Sequence, residues 1–97
     1  MEFTEHCMSC RRRFGEDFDY VHLWLDEFHG TKEYKTKHRK VRHHKAGIEE
    51  VRKKWGDRAA EAAKLHILDD IKWGEDLRAD EYWIPDNEAD YVKRGYW

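Results

Sequence analysis

Apolar residues in this sequence recur at intervals of three and four through segments of helical length, and glycines punctuate those segments. No stretch alternates apolar with polar residues as a half-buried strand would, no Asn-Gly turn occurs, and no internal repeat is found. That periodicity confines the chain to an all-α fold, a compact bundle of about four helices plus a short C-terminal helix. With 97 residues, it suits one domain, spanning 1–97, built on one core. Charged residues make up 41 %, but five Trp, five Tyr and four Phe supply enough burial to argue against disorder.

The first segment, Phe3 to Phe14, spaces Phe3, Cys7, Cys10 and Phe14 along one stripe, carries Arg11, Arg12 and Arg13 in its last turn, and stops at Gly15. The second runs from Asp17 to His29, with Val21, Trp24, Leu25 and Phe28 apolar. The third and longest is expected from Thr31 to Trp55. Its inward stripe reads Tyr34, His38, Val41, His44, Ile48, Val51, Trp55, and Gly47 inside it would permit close approach of another element or a ligand. The fourth, Asp57 to Trp73, turns Ala60, Ala63, Ile67 and Ile71 inward, with His66 and Asp70 one turn apart beside them. Gly74 to Pro85 reads as an ordered loop. Asp86 or Asn87 would cap a last helix that reaches Arg94 and stops at Gly95.

Histidine at core positions is the feature with chemical content. The chain has no Gln, one Asn, one Ser and three Thr, so a buried imidazole must find backbone, carboxylate, water or metal for its ring nitrogens. A serine triad is nearly excluded. His22, His38, His43, His44 and His66, with Asp70, come from different helical segments, and helical bundles build metal sites by pointing such residues inward. They are the candidate ligands for a divalent transition metal: Zn, Fe, Mn or Ni. His43 and His44 lie about 100° apart on a helix, so one of them faces inward. His6 is a further candidate member. Asp26, one turn beyond His22, would orient that ring, and Asp69 ranks behind Asp70. His29, at a helix end, would meet only the last carbonyls. Cys7 and Cys10 form a lone C-x-x-C on the apolar stripe and are expected to pack rather than ligate.

Charge is uneven. Lys32 to Lys45 holds five Lys and two Arg against one Glu, and Glu75 to Asp90 holds seven acids against Arg78. The acidic stretch either folds against the basic one or docks on another copy; alternatively the basic helix binds phosphate, with Arg39, Lys40 and Arg42 as the cations. A net charge of −2 and the lack of a nucleic-acid motif disfavour long nucleic acid; a small phosphorylated or anionic ligand fits better. No apolar run would span a membrane, and the acidic N-terminus lacks the apolar stretch of a signal peptide, so a cytoplasmic protein is expected (host cytoplasm if phage-encoded). The terminal aromatics Tyr96 and Trp97 offer a route to a homo-oligomer.

His6, Arg12-Arg13-Phe14-Gly15, His22-x-Trp24, the block His38-Arg39-x-x-Arg42-His43-His44-x-x-Gly47-Ile48, and His66-x-x-Asp69-Asp70 together resemble a family of short histidine-rich proteins of unknown function from bacteria, archaea and phages. A fainter likeness is to HD-type metal-dependent phosphohydrolases, where a His, a His-Asp pair and a later Asp come from separate helices. His22, the His43-His44 pair and Asp70 follow that order, with His-His in place of His-Asp. The resemblance implies a metal-bound water attacking a phosphoester, with Asp70 and His44 catalytic. Two other readings stand beside it: a non-enzymatic binder that sequesters a small anion such as a signalling nucleotide or docks a partner, and a structural domain with satisfied core histidines. The last makes His38→Leu or His44→Leu neutral or stabilising.

Overall fold

The helix from Asp57 to Ile71 is buried on most of its circumference. Ala59, Ala60, Ala62, Ala63, Leu65, His66, Ile67 and Leu68 are all inaccessible, more than the single stripe expected. Its run of small alanines lets neighbouring backbones come close on several sides, and only a narrow polar edge of Asp57, Arg58, Glu61 and Lys64 reaches solvent, which places the helix at the centre of its bundle. The computed structural model describes residues 2–29, 39–71 and 83–95, except the side chains of Arg39 and Lys40. Among the described residues all regular structure is helical: α1 Phe3–Phe14, α2 Asp19–Leu25, α3 Arg39–Arg42, α4 Lys45–Trp55, α5 Asp57–Ile71 and α6 Glu88–Arg94. The Cα radius of gyration, 12.4 Å, is that of a compact chain, about 13 Å for 100 residues. No helix among them is long and apolar enough to cross a membrane.

α5 packs against α4, α1 and α2, and α6 lies on α3. Cys10, Val21, Leu25, Ile48, Val51 and Ile84 close the core around the alanines. Several boundaries follow from local chemistry. α1 ends where Gly15, at φ 79°, returns its N–H to the Arg11 carbonyl. α6 starts at Asn87, whose Oδ1 accepts from the Asp90 N–H at 2.9 Å, and stops at left-handed Gly95.

Two boundaries depart from the periodicity. α2 ends at Leu25 and the chain continues as turns to His29. The Trp24 carbonyl, which a longer helix would bond to Phe28, instead accepts from the Arg42 guanidinium at 2.7 Å. The second departure is larger. The long helix expected from Thr31 to Trp55 is broken at His43-His44, where His44 is fully extended at φ −157°, ψ 175°. The residues from Thr31 to His38 lie outside the described residues, as does most of Gly74 to Pro85.

The break has identifiable causes. The first N–H groups of α4 find partners outside any continuous helix: Lys45 donates to the Pro85 carbonyl at 2.8 Å and Ala46 to the Asp86 carbonyl at 3.1 Å. Gly47 donates to the His44 ring at 3.0 Å. A Cβ on Gly47 would sit 1.9 Å from the Arg42 carbonyl oxygen. The close approach that Gly47 permits is therefore that of the backbone at the end of α3.

Candidate metal centre

Four elements deliver the histidines and acids to one buried place. His66 and Asp70 stand one turn apart on α5; His22 lies on α2 and Asp26 just past its end; His6 is on α1; His43 occupies the α3–α4 break. His6, His22 and His66 are fully buried and His43 is 1 % exposed. The break is what turns His43 inward, and Arg42 holds it there. The Arg42 guanidinium donates to the Trp24 carbonyl and to Glu27 Oε2 at 2.6 Å, and lies 4.0 Å from the Trp24 ring centroid and 4.8 Å from that of Phe28. It thereby fastens α3 to the end of α2, with His43 and Asp26 next in sequence to the two ends of the Arg42–Glu27 pair.

The hydrogen-bond network assigns the protons. His22 Nε2 lies 2.9 Å from the Asp17 carbonyl oxygen, an acceptor only, so this nitrogen carries the hydrogen. Burial pushes the His22 pKa down to about 4, so the ring is neutral and Nδ1 bears a lone pair. His66 Nδ1, 2.9 Å away, must then donate to it. His66 is also neutral, its pKa lowered to about 3 chiefly by burial, which leaves a lone pair on Nε2.

That lone pair faces His43 Nε2 at 3.1 Å, Asp26 Oδ1 at 3.5 Å and Asp70 Oδ2 at 3.5 Å. His43 Nε2 in turn lies 3.3 Å from Asp26 Oδ1 and 3.2 Å from Asp70 Oδ2. All four ligand atoms lie within 4.8 Å of one another. One hydrogen on His43 Nε2 cannot serve three acceptors at once. A tetrahedral ion with ligands at about 2.0–2.1 Å, by contrast, sets them about 3.3 Å apart along every edge, and the five separations above run from 3.1 to 3.5 Å.

The electrostatics favour positive charge at the same place. Burial alone would lower the His43 pKa, yet the hydrogen bonds and charges of Asp26 and Asp70 outweigh it and the net shift is upward. For Asp70, burial would raise the carboxyl, but His43, His6 and His66 together hold it well below the usual carboxylate range. Buried His and Asp groups of this chain are thus placed to coordinate a metal ion.

The family model described as Domain of unknown function (DUF6915) matches residues 1–95. The chain belongs to this family. No match is found among curated proteins or among solved structures. In this DUF6915 domain the chemistry is read from the site itself.

Of the residues singled out from sequence, His43, His66 and Asp70 come together in the four-atom group, and His22 adjoins it through the Nδ1 of His66. His38 lies outside the described residues, as do the side chains of Arg39 and Lys40. His44 corrects the sequence reading as both ligand and catalyst. Its Nδ1 caps α4 by accepting from Gly47, and its Nε2 donates to the Val41 carbonyl at 2.9 Å, so both nitrogens are committed to backbone. The second member of the His-His pair is therefore turned away from the place the HD-like order assigns it. Arg42 is likewise taken up by Trp24 and Glu27 rather than aimed at a phosphate.

Two members were under-read. Asp26, expected to orient His22, instead meets His43 and His66; its i, i+4 relation to His22 was the available signal. His6 stacks on His66 with centroids 3.6 Å apart and places Nε2 3.3 Å from Asp70 Oδ1; its i, i+4 relation to buried Cys10 was the signal there. Cys7 and Cys10 are free and buried, and burial pushes the Cys10 thiol up to about 12, too high for a ready thiolate ligand. Asp69 lies aside, its Oδ2 accepting from Ser9 Oγ at 2.7 Å.

Proposed function

We propose that this domain is a metal-binding protein in which Asp26, His43, His66 and Asp70 hold one divalent transition metal. The observation that carries this reading is the set of 3.1–3.5 Å separations among their ligand atoms, the edges of a tetrahedron around an ion. Two imidazoles and two carboxylates suit Zn, Fe, Mn or Ni. His22 supports the site from behind by accepting the Nδ1–H of His66, which fixes the tautomer whose Nε2 is free to ligate.

The reaction we assign to such a centre is hydrolysis of a phosphoester by a metal-bound water. What supports it is the asymmetry of the ligands: the Asp70 side chain is 2 % exposed and that of Asp26 25 %, so expansion to a fifth position, which a water would need beside four protein ligands, would open on the Asp26 side.

Elemental analysis of tag-free protein tests the first statement, with one equivalent of metal per chain expected. At a free metal concentration of about 100 Kd, linkage adds about 2.7 kcal/mol to stability. For a domain of this size that raises Tm by roughly 11–22 °C. Metal-free protein whose Tm is unchanged by chelator or by added Zn(II), Mn(II), Fe(II) or Ni(II) refutes the reading. Phosphate release from nucleotides by the loaded protein, lost in Asp70→Asn, tests the second; a nucleotide bound tightly and recovered intact refutes hydrolysis in favour of a binder.

A further inference from the structure

His66 has a second nitrogen, and the other face of the cluster is built around it. His6, His22 and His66 form a further group whose ligand atoms lie within 4.8 Å of one another, all three rings fully buried. The three are stacked, with centroids 3.6 Å apart for His6–His66, 5.1 Å for His22–His66 and 5.5 Å for His6–His22, and interplanar angles of 14–23°. The site proposed above uses none of the nitrogens at this place as a ligand. His6 Nδ1 is buried and has no hydrogen-bond partner among the described residues, a costly arrangement for an imidazole nitrogen. Only one proton, between His22 Nδ1 and His66 Nδ1 at 2.9 Å, ties the group together.

We propose that this domain holds a second divalent transition metal at His6, His22 and His66, with the His66 ring bridging the two ions through Nε2 and Nδ1. The inference rests on the first site, since the bridge requires an ion on Nε2. As the second ion enters, the Nδ1 proton of His66 leaves to solvent and the ring becomes an imidazolate, with one nitrogen lone pair given to each metal. His22 Nδ1 turns from hydrogen-bond acceptor to ligand without losing its Nε2 bond to the Asp17 carbonyl. His6 contributes the third imidazole. Three imidazoles without a carboxylate favour borderline ions such as Zn(II), Ni(II) and Cu(II) over Mg(II) or Ca(II). Two divalent ions bring four positive charges into the interior. Asp26, Asp70 and the imidazolate supply three negative charges, and the carboxylate of Asp69, next in sequence to Asp70, supplies the fourth.

The test is the metal count. Zn(II) is titrated into chelator-treated, tag-free full-length chain, and bound ions are counted by native mass spectrometry for wild type and for His6→Phe. The expected result is two ions per chain in the wild type and one in His6→Phe. A wild-type count of one overturns the bridged pair and leaves the first site standing; a count of zero overturns both. Two ions in both proteins place the second ion elsewhere, for instance on exposed His29, and overturn the assignment. Should His6→Phe fail to fold, wild type loaded with two Cu(II) decides. Copper ions bridged by an imidazolate couple, and the integrated electron paramagnetic resonance signal falls well below the copper content. A signal equal to the full copper content refutes the bridge.

Discussion

Replacing Gly47 with alanine tests the link between the broken helix and the metal centre. By propensity alone, alanine inside a helix is favoured over glycine by about 1 kcal/mol, so a straight helix through this position would be stabilised. In this fold the added Cβ would lie 1.9 Å from the Arg42 carbonyl oxygen, 2.8 Å from its carbon and 3.2 Å from its Cα. All three are backbone atoms and cannot swing aside as a side chain would. An ordinary contact requires the Arg42 carbonyl to retreat by more than 1 Å. That movement pulls on His43, the next residue, and on the Arg42 hydrogen bonds to Trp24 and Glu27. Overpacking of this kind costs about 1–3 kcal/mol; a clash with immobile backbone at 1.9 Å belongs at the upper end, about 2–3 kcal/mol, which leaves a net loss of about 1–2 kcal/mol after the propensity gain. Thermal unfolding of metal-free Gly47→Ala followed by circular dichroism should show Tm lower by roughly 4–16 °C, at 4–8 °C per kcal/mol for a domain of this length. Isothermal titration with Zn(II) should show weaker binding, because a displaced His43 no longer completes the tetrahedron. A variant as stable as wild type or more so, with unchanged affinity, would mean that α3 and α4 form one continuous helix and that the break is not what delivers His43.

His44→Leu should lower stability by about 0.5–2 kcal/mol, as loss of a helix N-cap does, while His44→Asn restores much of it; metal content should be unchanged in both. A neutral or stabilising His44→Leu would show that the ring's bonds to Gly47 and Val41 contribute nothing. His66→Leu should abolish metal binding at either nitrogen and lower the stability of the metal-free protein by about 1–3 kcal/mol, since it strips the buried His22 Nδ1 of its donor; retention of stoichiometric metal by the folded variant refutes both sites. In metal-free protein the depressed pKa values of His22, to about 4, and His66, to about 3, mean that the fold holds both rings neutral. Their contribution is complete above the unfolded value near 6.5 and is lost as pH falls toward those folded values, by up to about 1.4 kcal/mol per pH unit for each proton taken up on unfolding. His43, shifted upward, works in the opposite sense and offsets part of this. Tm should therefore fall between pH 6.5 and 4.5, a window in which few carboxylates titrate; a flat Tm across it contradicts the burial of neutral His22 and His66. Metal uptake must displace the proton that Asp26 and Asp70 favour on His43, so Zn(II) affinity should rise from pH 6 to 8 with measurable proton release, and a pH-independent affinity refutes His43 as a ligand.

The features legible in the sequence are those decided within a few residues along the chain. α1 and α5 follow from apolar spacing, and α6 from the Asn87 cap and Gly95 stop, because a helix's period, caps and end glycines involve neighbours of one another. The same locality makes His66 and Asp70 readable as a pair, four residues apart on one face. The stripe through His38, Val41, His44 and Ile48 misled because periodicity records which residues would share a face if the helix continued. Whether it continues was decided by the carbonyls of Pro85 and Asp86, about 40 residues away, which take the first N–H groups of α4. Once the helix breaks, His43 turns inward, His44 becomes a cap and Arg42 becomes a clamp on Trp24 and Glu27. Sequence alone determined that this is a helical chain with imidazoles in its interior. Tertiary structure decided which of them meet, because a metal site is a coincidence of side chains from separate helices, and the contacts that align those helices lie far apart along the chain.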